Sequence, residues 1–170
     1  MSCSKHLLAF FLYLQYCTAM FGQQHIEVDG ITFSYQIEGD ALRCELQALT
    51  NGWVGVGFNS KNAIVGSDLL LFNLVDGNPS CADLYVKSFG NPIKDEDLGG
   101  NNSIELLSAH EDEMSTVVRF TIPVDSGHPT DYVHSINQDF WLILAYSAED
   151  DFEHHSRVRR HLPFRLNQGK

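Results

Sequence analysis

The sequence predicts an all-β fold, an antiparallel sandwich of about nine strands. Short runs rich in β-branched and aromatic residues recur at intervals of roughly 8 to 14 residues. Clusters of Gly, Asn, Asp and Pro separate them. Helical periodicity is sustained nowhere, so a two-layer stack of strands is the arrangement that lets each run bury one face.

The first 22 residues stand apart from this rhythm. Lys5 and His6 precede an apolar run, Leu7 to Leu14, too short for the roughly 20 residues of a spanning helix. Small residues at Cys17-Thr18-Ala19 and Gly22 follow, so Met1 to Gly22 reads as an export signal and residues 23–170 as a single domain. No later segment is apolar enough to span a bilayer, and the expectation is a secreted protein.

The runs follow in order. Ile31 to Tyr35 alternates and ends at Glu38-Gly39-Asp40; Leu42 to Leu49 closes at Thr50-Asn51-Gly52. Trp53 to Phe58 places Trp53, Gly55 and Gly57 on one face and Val54, Val56 and Phe58 on the other. Glycine at alternate strand positions commonly marks where something bulky approaches the backbone. Leu69 to Val75 is nearly unbroken in apolar character, as a strand buried on both faces would be, and Asp76-Gly77-Asn78-Pro79 turns the chain. Cys81 to Val86, Ile104 to Leu107, Ser115 to Ile122, Phe140 to Tyr146 and Leu162 to Leu166 complete the set.

Charge narrows the partners. The chain has 11 basic and 22 acidic residues, and loss of Lys5 with the signal leaves 10 against 22. Nucleic acid and anionic membrane would repel such a surface. Acidic clusters at Lys94-Asp95-Glu96-Asp97, Glu111-Asp112-Glu113 and Glu149-Asp150-Asp151 read as solvated loops or as an interaction surface. Small molecules, sugars and extracellular proteins remain as partners.

Of four cysteines, Cys3 and Cys17 fall within the signal. Cys44 and Cys81 form either a disulfide, contributing about 3 to 4 kcal/mol by the chain-entropy argument, or two separate thiols. Asn101-Asn102-Ser103 is a glycosylation sequon, beside Gly99-Gly100 and so in an expected surface loop.

Enzymatic signatures are missing: there is no P-loop, dinucleotide fingerprint, HExxH or GxSxG. No catalytic residue is assigned. Glu153 to His161 concentrates three imidazoles and three guanidiniums, which suits metal or haem ligation with arginines pairing carboxylates, or else a loop neutralising Glu149 to Glu153.

The order of motifs resembles a family. Trp53-Val54-Gly55-Val56-Gly57-Phe58, Gly66-Ser67-Asp68-Leu69, Asp76-Gly77, Ala82-Asp83, and Leu142 to Tyr146 ahead of a histidine and Arg159 look like a DOMON domain. The chain is most similar to the N-terminal domain of dopamine β-monooxygenase-like copper monooxygenases, over residues 26–166. The resemblance implies a sandwich of nine to eleven strands that elsewhere holds haem b, a cation, or sugar and partner surfaces. The family's haem methionine position is Ile64 here, which cannot ligate iron, while its histidine matches His155, with His154 beside it. A structural cation such as Ca²⁺ would take Asp68, the main-chain oxygens of Leu69 and Leu84, and the Asn102 amide, with Ser103 as the alternative alignment. The copper-binding domains of those enzymes have no counterpart in this sequence. The resemblance therefore implies a stand-alone, non-catalytic ligand- or partner-binding module, with an extracellular haem b or electron-transfer domain as the alternative, and a truncated monooxygenase as a third reading.

Overall fold

The computed structural model describes residues 24–167, so the signal segment lies outside the described residues. Among those residues, eleven strands form two antiparallel sheets. The first sheet is built from β1 (Gln24–Val28), β2 (Ile31–Glu38), β3 (Ala41–Ala48), β8 (Glu105–Glu111) and β9 (Thr116–Pro123), in the order β1-β2-β3-β9-β8. The second contains β4 (Val54–Asn59), β5 (Asp68–Val75), β6 (Asn78–Ser88), β7 (Asn91–Lys94), β10 (Asp139–Tyr146) and β11 (Val158–Arg165), in the order β11-β10-β4-β5-β6-β7. One 3-10 helix, Asp95–Leu98, follows β7.

Alternation decides which side chains meet between the sheets. Phe33, Tyr35, Leu42, Leu46, Val118 and Phe120 from the first sheet pack on Val54, Val56, Phe58, Leu70, Phe72 and Leu142 from the second. The Phe72 and Phe120 rings, 4.6 Å between centroids, join the two layers. Turn chemistry fixes register where strands are hairpin neighbours. Asp29-Gly30 and Asp76-Gly77 both hold positive φ (47° and 77°, 52° and 74°), the backbone of a two-residue turn whose twist matches the flanking strands.

β4 and β5 are antiparallel neighbours, with Phe58 opposite Asp68, so the loop between them lies at one end of the sheet. β10 pairs β4 with Trp141 opposite Asn59 and Tyr146 opposite Val54, which puts the 147–157 loop at the other end. The sequence readings differ from the structure at three places. Leu162 to Leu166 is too short: β11 begins at Val158 and takes in half of the basic run. β1 and β7 are short edge strands whose sequences carry little apolar alternation. Cys44 and Cys81 are free thiols, one on each sheet, so the disulfide reading is corrected. Cys44 is packed in the core, and burial pushes its thiol well above the usual range.

Candidate functional site: an acidic rim

The Asp68 end of the sandwich collects carboxylates from four separate parts of the chain. Asp68 opens β5 on the face turned toward the first sheet, and its Oδ2 accepts the Tyr132 backbone N–H at 2.9 Å. Asp83, on the neighbouring β6, has Oδ2 bonded by the Ser103 N–H (2.7 Å) and the Ser103 hydroxyl (2.6 Å). Asp95 begins the 3-10 helix and is 1% exposed. Asp131 lies in the loop joining β9 to β10, with His128 three residues before it.

These groups are close enough to feel one another. Burial pushes the Asp68 carboxyl well above the ordinary range, and the Asp83, Asp131 and Asp95 charges push it further. Burial also raises Asp83 and lifts Asp95 to about 7, with the neighbouring Asp131 adding to the second. Among the described residues, no lysine or arginine makes an ion pair with any of the four. The imidazole within reach is that of His128, whose Nδ1 stands 3.8 Å from both Asp95 Oδ2 and Asp131 Oδ1. Asp83 Oδ1 and Asp95 Oδ1 are buried with no hydrogen-bond partner. Buried carboxylate oxygens without a donor are costly, and a cation is one remedy. Asp95, His128 and Asp131 bring ligand atoms within 4.8 Å of one another, a grouping able to hold a metal ion.

The residues carried over by resemblance are distributed unevenly around this rim. Asp68 belongs to it, and Leu69 and Leu84 face each other across the β5-β6 ladder beside it. Asn102 is exposed and engaged locally: its Oδ1 accepts the Ile104 N–H at 2.9 Å, while its amide points to Cys81 Sγ. Ser103, not Asn102, reaches Asp83. Asn101 is exposed, as a sequon asparagine must be to carry a glycan. Sequence reasoning missed Asp95, His128 and Asp131. Asp95 looked like one member of a solvated acidic run, yet it is buried while its neighbours Glu96 and Asp97 are exposed. Nothing local marks it; only the fold brings residues 68, 83, 95 and 131 together.

The opposite end holds the histidines singled out from the sequence. His154 and His155 are exposed, and their engaged groups are backbone carbonyls: the Trp53 indole N–H donates to His154 O (3.2 Å) and the Ser147 hydroxyl to His155 O (3.4 Å). His154 Nδ1 lies 3.4 Å from Asp151. The basic run is dispersed rather than clustered, because β11 alternates. Arg160 pairs with Asp29 of the first sheet, while half-buried His161 lies opposite Ile143. Ile64 sits in the β4-β5 loop at the acidic end, so β4's six residues, roughly 17 to 20 Å of strand, separate it from His155. One iron cannot meet both positions.

The glycines of β4 are explained within the protein itself. A Cβ on Gly55 would lie 2.5 Å from Leu71 Cδ2, and one on Gly57 would lie 3.3 Å from Leu69 Cδ1. The bulk they admit is therefore leucine from β5, which with Trp53, Ala82, Leu84 and Ala145 forms a second small core on the outer face. A cleft of about 550 Å³ lies beside the acidic end, lined by Ser60, Trp141, Pro163, Phe164, Arg165 and Asn167 among others.

Residues 27–147 match the DOMON domain family. The chain is 32% identical over 131 residues to DBH-like monooxygenase protein 2 of Mus musculus, covering 75% of this chain and 20% of that protein. It is 26% identical over 122 residues to MOXD1 homolog 2 of Drosophila melanogaster, covering 72% of this chain and 16% of that protein. The chain thus spans about a fifth of the length of these relatives. Among solved structures it is similar to the cytochrome b domain of pyranose dehydrogenase from Coprinopsis cinerea, with a TM-score of 0.62 at 11% identity, covering 85% of this chain and 81% of that one. It is also similar to the cytochrome domain of cellobiose dehydrogenase from Myriococcum thermophilum, with a TM-score of 0.58 at 9% identity, covering 85% and 82%. Those two likenesses concern the fold. Among the described residues no helix is long and apolar enough to cross a membrane. The two-sheet architecture, the conjunction of the Trp53 and Asp68 strands, and the match over residues 27–147 together make this chain a member of the DOMON family.

Proposed function

We propose that this chain is an exported, non-catalytic DOMON module that binds a small molecule, sugar or extracellular protein, and that a cation holds its acidic rim in shape. The observation that carries the reading is the convergence of Asp68, Asp83, Asp95 and Asp131 with two buried carboxylate oxygens unpartnered. Folding alone gains nothing from such an arrangement, because desolvating several like charges opposes it. A bound divalent ion reverses the sign by giving the carboxylates a common partner. At the same end of the sheet, on its β10–β11 side, an open cleft is lined by Ser60, Asp139, Arg165 and Asn167 together with Phe140, Trp141, Pro163 and Phe164, a mixed surface suited to a polar ligand or a partner's side chains.

The haem reading has less support in this chain. The likeness to cytochrome domains is one of fold, Ile64 stands at the family's methionine position, and His155 is exposed at the far end from it. The relatives' names refer to monooxygenases, and the segment they share with this chain contains no copper-ligand set that sequence reasoning could identify.

Haemin titration together with thermal melting tests the proposal. The expected result is no sharp Soret band, and a melting temperature that rises when a divalent cation is added to chelator-stripped protein, the rise being lost in Asp68→Asn. A sharp Soret band abolished by His155→Ala would overturn it.

A further inference from the structure

We infer that the ion at the acidic rim is bound through the imidazole of His128 together with Asp95 and Asp131, and that this donor set selects a first-row divalent ion of the Zn²⁺ kind over Ca²⁺. The inference rests on the reading that a cation holds this rim. It departs from the donor set implied by resemblance, which is all oxygen and includes Asn102.

Three observations carry it. Two sides of the donor triangle, His128 Nδ1 to Asp95 Oδ2 and to Asp131 Oδ1, measure 3.8 Å, and the ligand atoms of the three residues all lie within 4.8 Å. Such a triangle has its centre roughly 2.1 to 2.5 Å from each corner, close to the ~2.0–2.2 Å bonds of Zn²⁺ to imidazole and carboxylate. The ring is also seated on purpose-shaped backbone. Gly100 lies against it so closely that a Cβ there would stand 2.6 Å from His128 Cε1, and the Gly100 N–H donates to the Asp95 main-chain carbonyl at 2.8 Å, tying the ring's platform to the backbone that carries the carboxylate.

The third observation is a shortage of protons. The Thr130 hydroxyl sits amid the triad, hydrogen-bonded to Asp95 Oδ2, 2.6 Å from His128 Nδ1 and 3.4 Å from Asp131 Oδ1. With its one proton given to Asp95 Oδ2, the hydroxyl can accept from an Nδ1–H of His128 but has none left for Asp131 Oδ1. Asp95 Oδ1, 99% buried by the residue's exposure, is still unpartnered, as is Asp83 Oδ1 nearby. An ion at the centre turns the hydroxyl aside and supplies the missing charge. A nitrogen donor with few accompanying oxygens suits Zn²⁺, whereas Ca²⁺ requires six to eight oxygens.

Chelator-stripped full chain titrated with Zn²⁺ and with Ca²⁺, read by calorimetry and by imidazole ¹H–¹⁵N spectra, decides the matter. The expected result is tighter binding of Zn²⁺ than of Ca²⁺, a shift of the His128 Nδ1 signal on Zn²⁺ addition, and an affinity for Zn²⁺ weakened by about tenfold or more in His128→Ala. His128→Asp should move the preference toward Ca²⁺. The double variant His154→Ala/His155→Ala should retain the Zn²⁺ site, which separates it from the exposed imidazoles beside Asp151. The wild-type spectra decide even if a variant fails to fold. Binding of Ca²⁺ alone, or of Zn²⁺ with the His128 signal unmoved, overturns the imidazole assignment and leaves the cation-held rim standing. Absence of binding by either ion removes both.

Discussion

At the Asp68 end of the second sheet, carboxylates turn inward, lose water and, among the described residues, face an imidazole but no lysine or arginine ion-pair partner. At the Trp53 end, imidazoles turn outward, while main-chain carbonyls and small hydroxyls hold the loop: Thr50 donates to Ser147 O, Thr116 to Thr50 O at 3.0 Å, and Trp53 to His154 O. The first end has electrostatic demand that its own groups do not meet. The second meets most of its demand from its own main chain, with Asp150 Oδ1 the one carboxylate oxygen of its 147–157 loop buried without a hydrogen-bond partner. A cluster of ligating residue types in sequence is thus a poor guide to a site; unmet demand in the fold is a better one.

The largest expected effect sharpens the structural character of the Trp53 end. A Cβ on Gly52 would lie 2.6 Å from Ala148 C and from Glu149 N, both backbone atoms that cannot swing away. Gly52→Ala should therefore destabilise the protein by about 3 kcal/mol, read in denaturant melts, while leaving divalent-ion affinity at the acidic rim unchanged. A loss of ion binding in a folded Gly52→Ala protein would show that the two ends are not independent.

A smaller effect sets a buried imidazole against a buried carboxyl. His134 is buried against Phe58, Tyr132 and Phe140, and burial pushes its imidazole down to about 4, with Asp131 pulling weakly the other way. Unfolded, the same group titrates near 6.5, so the unfolded chain binds more protons between about pH 4 and 6.5. Stability from this residue is present above that window and is lost as pH falls through it. The loss should be on the order of 2 kcal/mol, and His134→Phe should flatten it. Asp95 contributes with the opposite sign. Its carboxyl, raised to about 7 chiefly by burial, keeps a proton in the fold that the unfolded chain has released, so its share of metal-free stability falls as pH rises from about 4 to 7. An acid limb left intact by His134→Phe would break this assignment.

Much of the fold was legible because it depends on local periodicity. Leu69 to Val75 and Phe140 to Tyr146 read as strands from their apolar content, and the Asp76-Gly77 turn from its φ requirement. β1 and β7 were not legible, since edge strands such as Asn91–Lys94 bury little and are defined by their hydrogen-bonded neighbours. The basic run from Glu153 to His161 was misread as one cluster because strand alternation, invisible until β11 is paired, sends successive side chains to opposite faces. Asp68 was legible through resemblance. Asp95, His128 and Asp131 were not, because their meeting requires the 3-10 helix, the Gly100 platform and the loop before β10 to be folded against one another.

The most direct measurement of which end binds is paramagnetic broadening by Mn²⁺ of the amide ¹H–¹⁵N spectrum of chelator-stripped protein. The account predicts that amides around Asp68, Asp95 to Asn102 and His128 to Tyr132 vanish at substoichiometric ion, while those of Glu153 to Ser156 persist. Broadening centred on His154 and His155, with the acidic rim left sharp, would contradict it.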